Sequence, residues 1–278
     1  RYGQDVTLFD REDPGSQASF GNAGTYAKYA NIPTNSSSFF YLFPYLLLNK
    51  NSPLFFKRGK FIQSLPWLMQ YLSNCRQSKV RDTSNKLTTL LSLVDEGYED
   101  LFNDADIENL ISRESIFYVW SNKLFYNSAR KDFETREKTG VKIEIISKNE
   151  INDVEPNINN IFYKGALFKG SYFAKNPKKI SEKLLQLFIE KGGNFKKEKI
   201  DEIKILDTNK VNIHTNENTY TYDRIVLCAG VWSKKLTDKL GENIPLASER
   251  GYHLMYPHPE NSISRPIAWQ ERGVYFTP

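Results

Sequence analysis

Two cysteines, two methionines and three histidines in 278 residues leave little material for thiol or metal chemistry. Cys75 and Cys228 stand far apart without metal-ligand spacing and read as buried free thiols of a reducing compartment, not as a disulfide framework. His214 and His258 read as surface residues. Long apolar runs are missing too. The most apolar stretch, Phe39–Leu48, is too short to span a bilayer and contains Pro44. It reads as core packing, with peripheral membrane contact as the alternative. The formal charge of +5 comes from lysines scattered along the whole chain. No basic stripe interleaved with aromatics exists, so a solvated surface is the reading and nucleic acid is not an expected partner. No Ser/His/Asp set and no metal cluster is visible, and no internal repeat or low-complexity tract. The phosphate-binding turn G-x-G-x-x-G does not occur anywhere.

What is present is a folding composition. Forty per cent hydrophobic and 14% aromatic residues exclude a disordered chain, and the length suits one large or two moderate domains. The most telling stretch is the beginning, where Val6-Thr7-Leu8-Phe9 ends in Asp10, with Arg11-Glu12 behind it. The small-residue loop Pro14-Gly15-Ser16-Gln17-Ala18-Ser19-Phe20-Gly21-Asn22-Ala23-Gly24 follows. The second strand of a dinucleotide-binding domain ends this way, its carboxylate placed for ribose hydroxyls. Gly, Ala and Ser behind it let backbone approach a phosphate or a ring closely. An ordinary strand-end acid is the competing reading of Asp10. A dinucleotide fold has a strand, glycine turn and helix about 20 residues before such an acid. Here Arg1–Asp5 precede it, and Tyr2-Gly3-Gln4-Asp5 reads as the end of that helix, so the chain is expected to be a fragment cut inside a domain.

Farther along, Ser64 reads as a helix cap with Pro66 in the first turn, and Leu65, Leu68, Met69, Leu72 and Cys75 fall at helical spacing. A second helix is predicted from Ser84, with Leu87, Leu90, Leu91, Val94, Tyr98 and Leu101 on one face. Arg113–Trp120 reads as a strand, followed by a charged helix to about Lys138. Ser147 and Glu150 have the capping-box spacing for a short helix that Pro156 ends. Asn176 and Pro177 start another helix, with Ile180, Leu184, Leu187 and Phe188 on its buried face and Gly192-Gly193 at its end. Phe195–Tyr222 reads as a meander with turns at 207–210 and 215–218. Ile225–Cys228 is continuously apolar, as a strand buried on both faces should be. Gly251–Tyr256 and Val274–Phe276 are predicted strands.

Several of these pieces, in this order, resemble the FAD-dependent D-amino acid oxidase/dehydrogenase superfamily, closest to the bacterial D-amino acid dehydrogenase branch. The resemblance rests on Asp5–Glu12 with Ala18–Gly24, on Leu65-Pro66-Trp67-Leu68 with Asn74-Cys75-Arg76, on Tyr222–Ser233 with its Ala229-Gly230 turn, and on Pro245-Leu246 with Glu249–His253. It implies an α/β, two-domain flavoprotein: a Rossmann-like FAD-binding domain interrupted by a mixed-sheet and helical substrate domain. The implied division is FAD-binding over 1–40 and 173–238, substrate-binding over 41–172 and 239–278. It also implies that Asp10 meets the ribose, that Arg11 stacks near adenine or pairs with a phosphate, and that Ala18 and Ser19 lie near the pyrophosphate. Ala23, Gly24 and Thr25 would line the ribityl chain and flavin edge, and Asn22 would hydrogen-bond there or stabilise the loop. Ile200 would meet the adenine through its backbone. Ala229 and Gly230 would let backbone pass close to the cofactor, with Trp232 as packing.

Tyr252 and His253, with Arg250 behind them, are the candidates for the substrate side; a polar strand facing solvent is the competing reading. The implied reaction is oxidative deamination of a D-amino acid to a 2-oxo acid and ammonium, by hydride transfer to flavin. A quinone or electron carrier is the implied acceptor. The implied location is the cytoplasm, or the inner face of the cytoplasmic membrane. Enzymes of the same fold acting on glycine, sarcosine or proline derivatives are the near alternative, and a non-catalytic flavoprotein-like subunit is the distant one. With the glycine turn missing, the fragment alone is expected not to retain FAD.

Overall fold

The computed structural model describes residues 3–36, 61–206, 210–257, 260 and 262–278, together with Phe43, Tyr45 and Leu48. Most of the Phe39–Leu48 run, residues 207–209 of the turn predicted at 207–210, and His258 lie outside the described residues. In chain order the strands are β1 (Thr7–Asp10), β2 (Thr25–Tyr26), β3 (Ile111–Ser112), β4 (Ile116–Trp120), β5 (Ile143–Ser147), β6 (Lys164–Phe168), β7 (Tyr172–Ala174), β8 (Asn194–Lys197), β9 (Ile200–Ile205), β10 (Val211–Thr215), β11 (Thr219–Tyr222), β12 (Ile267–Trp269) and β13 (Val274–Phe276). The helices are α1 (Phe61–Asn74), α2 (Gln77–Leu91), α3 (Val94–Asp104), α4 (Lys123–Glu137), α5 (Ile151–Val154), α6 (Pro177–Glu190) and α7 (Ser233–Lys239). Among the described residues no helix is long and apolar enough to cross a membrane.

The chain divides into two compact units, 1–22 with 177–255, and 23–176 with 256–278. In the first, β1 runs parallel to β8, with Asp10 opposite Lys197. Helix α6 connects back to β8. Pro177, which needs no N–H partner, is its first residue, and Gly192 (φ +90°) reverses the chain at its end. The Gly193 N–H then bonds the Phe188 carbonyl at 2.9 Å, and the Phe188 ring occupies the space that a Gly193 side chain would need. Strands β9, β10 and β11 form a separate antiparallel sheet. The predicted meander is therefore confined to these three, because β8 is taken by β1. Thr215 and Asn218 close the tight turn between β10 and β11 at 2.9 Å. His214 is half-buried on β10, its Nδ1 2.9 Å from the Thr219 hydroxyl.

Two apolar segments of this unit depart from expectation. Ile225–Cys228 forms no strand; Val226 is 84% exposed and Cys228 is exposed, so this thiol is not buried. Gly251–Tyr256 forms no strand either. Both sequences have strand composition, but composition forms a strand only where a neighbouring strand supplies the hydrogen bonds.

The second unit is built on a five-stranded mixed sheet in the order β13-β12-β4-β6-β5. Central β4 is buried on both faces. Phe117 and Val119 join Ile146, Ile151, Phe162, Leu167 and Ile267 on one side, while Ile116 and Trp120 join Tyr29, Phe133, Ala166 and Phe168 on the other. Gly165 in β6 is a glycine because the Phe117 ring fills the place of a side chain. The strand expected over Arg113–Trp120 is shorter: β4 takes Ile116–Trp120 and pairs with β6 and β12, while residues 113–115 lie between it and β3, which pairs with β7. The helix expected from Ser84 is two helices, α2 and α3, separated at Ser92-Leu93, with Ser84 buried inside α2. Helix α1 begins before Ser64 and carries Pro66 in its interior. The Ser147–Glu150 capping box forms, and the short helix behind it stops before Pro156.

Candidate cofactor site

In the first unit the acid-ended strand and its loop form one rigid corner. Asp10 is exposed at the end of β1 and its Oδ1 accepts the Glu12 N–H at 3.0 Å. The Asp13 carbonyl accepts the Ser16 N–H at 3.2 Å and hydroxyl at 2.7 Å. Lys197, on β8, reaches the Asp13 carboxylate at 2.8 Å, and that contact raises the lysine's pKa. Gly15 has φ +71°, and a side chain there would stand 2.9 Å from the Lys178 backbone, so the loop lies directly on the first turn of α6. Asn22 donates to the Ala18 carbonyl at 3.1 Å and so braces the loop.

Arg11 links two of the expected cofactor segments. Its guanidinium lies 4.2 Å from the Trp232 ring centroid and its Nη2 donates to Gln17 Oε1 at 3.3 Å. Trp232 belongs to the 3-10 turn Gly230–Trp232, which Ala229 precedes. Gly230 has φ +52° and open space where a side chain would stand. Ala18 is exposed, Ser19 is half-buried, and half-buried Ile200 opens β9. Tyr252 is 90% exposed. His253 does meet the loop: its ring covers Gly21 and stands edge-on to Phe20, with centroids 5.4 Å apart.

In the second unit Gly24 (φ +63°) accepts the Ala174 N–H at 2.8 Å, which fixes the entry to β2. Thr25 Oγ1 lies 3.4 Å from the Ala23 carbonyl and 3.5 Å from the Tyr275 hydroxyl. From there a chain of hydroxyls runs inward: Tyr275 to Tyr29 at 3.3 Å, then Tyr29 to Tyr118 at 3.2 Å. Burial pushes all three phenols up, Tyr275 to about 12, and neighbouring phenols add to the shift for Tyr29 and Tyr275. All three stay neutral O–H donors through the physiological range. Sequence reasoning missed this group, because Tyr118 and Tyr275 meet only through β12, where both stand opposite Ala268.

An open carboxylate at a parallel strand end, a rigid small-residue loop and a glycine with vacant space beside it fit the adenosine and pyrophosphate of a flavin dinucleotide. The fold is a two-unit α/β arrangement. The family model described as FAD dependent oxidoreductase matches residues 1–278, and the chain belongs to that family, whose cofactor is FAD. A D-amino-acid oxidase of Bradyrhizobium diazoefficiens is 27% identical over 286 residues, covering 99% of this chain and 68% of that protein. Among solved structures, glycine oxidase from Geobacillus kaustophilus superposes with TM-score 0.57 at 16% identity, over 85% of this chain and 52% of that one. The L-alpha-glycerophosphate oxidase of Mycoplasma pneumoniae, solved with FAD bound, gives 0.52 at 14% identity over 84% and 50%. These likenesses show the fold; the chain spans about half the length of both solved structures.

Proposed function

We propose that the protein containing this chain oxidatively deaminates D-amino acids, with Asp10, Arg11, Ala18, Ser19, Asn22, Ile200, Ala229 and Gly230 on the dinucleotide, and Ala23, Gly24 and Thr25 toward the ring. The observation that carries the reading is the open Asp10 carboxylate at the end of β1, leading into a loop pinned by Gly15. The likeness to a D-amino-acid oxidase across 99% of the chain supports the substrate class. FAD, when bound, supplies the acceptor for the hydride leaving the substrate α-carbon. The residues bind and orient. Asp10 accepts from ribose hydroxyls, and Arg11, already stacked on Trp232, offers its remaining N–H groups to a phosphate. Tyr252 and His253 serve the substrate side. The amine loses a proton as the hydride departs, and water converts the imine to a 2-oxo acid and ammonium. The electron acceptor is a quinone or carrier, with the protein in the cytoplasm or on the inner face of the membrane.

The test is the visible spectrum of the full-length protein, before and after anaerobic addition of D-alanine. A flavin band that bleaches supports the proposal. A band that D-amino acids leave untouched but glycine or sarcosine bleaches overturns the substrate class, and the absence of any flavin band overturns the enzyme reading.

A further inference from the structure

The loop behind β1 contains two glycines with positive φ, Gly15 (+71°) and Gly21 (+69°). Glycine at such a place lets another group come close, and a dinucleotide is one such group. Here the protein itself fills both places. The Lys178 backbone stands against Gly15, and the imidazole of His253 lies over Gly21, three of its ring atoms in the space that a side chain would need. The loop is thus fastened at two points, with Ala18 and Ser19 between them.

The two fastenings differ in kind. Gly15 meets the main chain of a helix, whereas Gly21 meets one side chain from a segment far along the sequence. No hydrogen bond among the described residues holds Gly21 itself. The bonds on either side, from the Phe20 N–H to the Gln17 carbonyl and from Asn22 Nδ2 to the Ala18 carbonyl, both at 3.1 Å, tie the loop to itself. The His253 ring also stands edge-on to Phe20, centroids 5.4 Å apart and planes at 81°, a favoured geometry for two flat rings. One ring therefore seats on two consecutive residues of the turn. Its neighbours face solvent, Tyr252 at 90% and Leu254 at 82% exposed.

We infer that His253 is a positioning residue: its ring holds the turn Phe20–Asn22 in the shape that presents Ala18 and Ser19 to the dinucleotide. It thereby couples the segment carrying the substrate-side residues to the cofactor loop. The inference rests on the flavin reading above and refines it, since His253 acts through the loop while Tyr252 keeps its side chain open. The role uses a flat ring and no proton of the imidazole, which separates it from a histidine that acts on substrate.

The experiment compares variants of the full-length protein by FAD retained on dilution and, after the flavin is stripped, by amide NMR with ¹⁵N-glycine. The Gly21 signal is identified by its loss in Gly21→Ala. His253 is exposed and lies in no helix or strand, so its replacement spares the core. His253→Ala should weaken FAD retention about fivefold and shift the Gly21 signal. His253→Phe keeps a ring and should stay within about twofold of wild type. Gly21→Ala should cost less FAD affinity in the His253→Ala background than in wild type, because the methyl then takes the vacated space; the strain of the positive φ is common to both. An unmoved Gly21 signal in His253→Ala, equal FAD loss in His253→Phe and His253→Ala, or equal costs of Gly21→Ala in both backgrounds would each overturn the inference. A wild-type protein without a flavin band would overturn the flavin reading beneath it, whereas wild type and His253→Ala holding FAD alike would overturn this inference alone.

Discussion

The Asp10 carboxylate accepts one intramolecular hydrogen bond, from the Glu12 N–H, and the rest of its acceptor capacity faces solvent. For an acid in a folded protein this is a weak structural commitment. Hydrogen bonds to a charged group contribute about 1.5–3 kcal/mol, whereas an exposed polar residue contributes a few tenths to stability. The two roles therefore separate on mutation. Asp10→Ala in the full-length protein should weaken FAD retention by about tenfold or more, while the unfolding free energy of the apoprotein moves by less than about 0.5 kcal/mol. Flavin release on dilution and urea unfolding measure the two. A variant that keeps its flavin but unfolds more easily would make Asp10 a structural acid.

At the scale of elements, Glu271 does what no local pattern announces. It follows β12 in the 3-10 turn Gln270–Arg272, and its Oε1 accepts the Ser121 N–H and hydroxyl and, at 3.1 Å, the Asn122 N–H. Asn122 in turn caps α4, accepting the Leu124 N–H at 2.8 Å. One buried carboxylate thus joins the end of β4, the start of α4 and the β12–β13 connection. Its Oε2 has no hydrogen-bond partner among the described residues. Glu271→Ala should destabilise the chain by about 2–3 kcal/mol in urea unfolding, by leaving buried N–H groups unmatched. Glu271→Gln keeps Oε1 as acceptor and should stay within about 1 kcal/mol. Equal losses in both would show that charge, not acceptor geometry, is what matters.

The same contrast explains what the sequence made legible. The Ser147–Glu150 capping box, the Pro177 start and Gly192 end of α6, and the charged helix α4 were readable because their causes lie within a few residues. The acid-ended strand with its glycine loop was readable for the same reason. Glu271 and the Tyr29–Tyr118–Tyr275 group were not, since each joins segments far apart in the chain. Ile225–Cys228 and Gly251–Tyr256 failed in the opposite direction: strand-like composition without a paired neighbour among the described residues.

For the molecule as a whole, the titrating groups set two unequal limits on stability. On the acid side, Glu150 is held low by its Ser147 contacts and Glu198 by the Tyr220 and Thr215 hydroxyls. Glu150 is exposed and Glu198 half-buried at the surface, so the stability they contribute above the ordinary carboxylate range is solvent-screened and fades gently as pH falls through their lowered values. The alkaline side is steeper, because several groups act together. Burial raises Tyr26 and Tyr275 to about 12, each helped by a neighbouring phenol, and raises Tyr29, Tyr118 and Tyr172 as well. In the unfolded chain these phenols ionise near their ordinary 10.0. Between that value and the folded one the unfolded state has lost protons that the native state keeps, so stability is complete below pH 10 and falls as pH rises toward 12. Of the 16 tyrosines, these five, with Tyr29 and Tyr172 buried and Tyr275 36% exposed, should therefore resist ionisation in a spectrophotometric titration of the native protein, and titrate with the others once urea is added. Tyr275→Phe should lower stability at neutral pH by about 1 kcal/mol through its lost hydrogen bonds, yet make the alkaline decline shallower. Native tyrosines that all titrate together near 10, or an unchanged alkaline slope in Tyr275→Phe, would mean that the hydroxyl chain from Thr25 to Tyr118 is open to water.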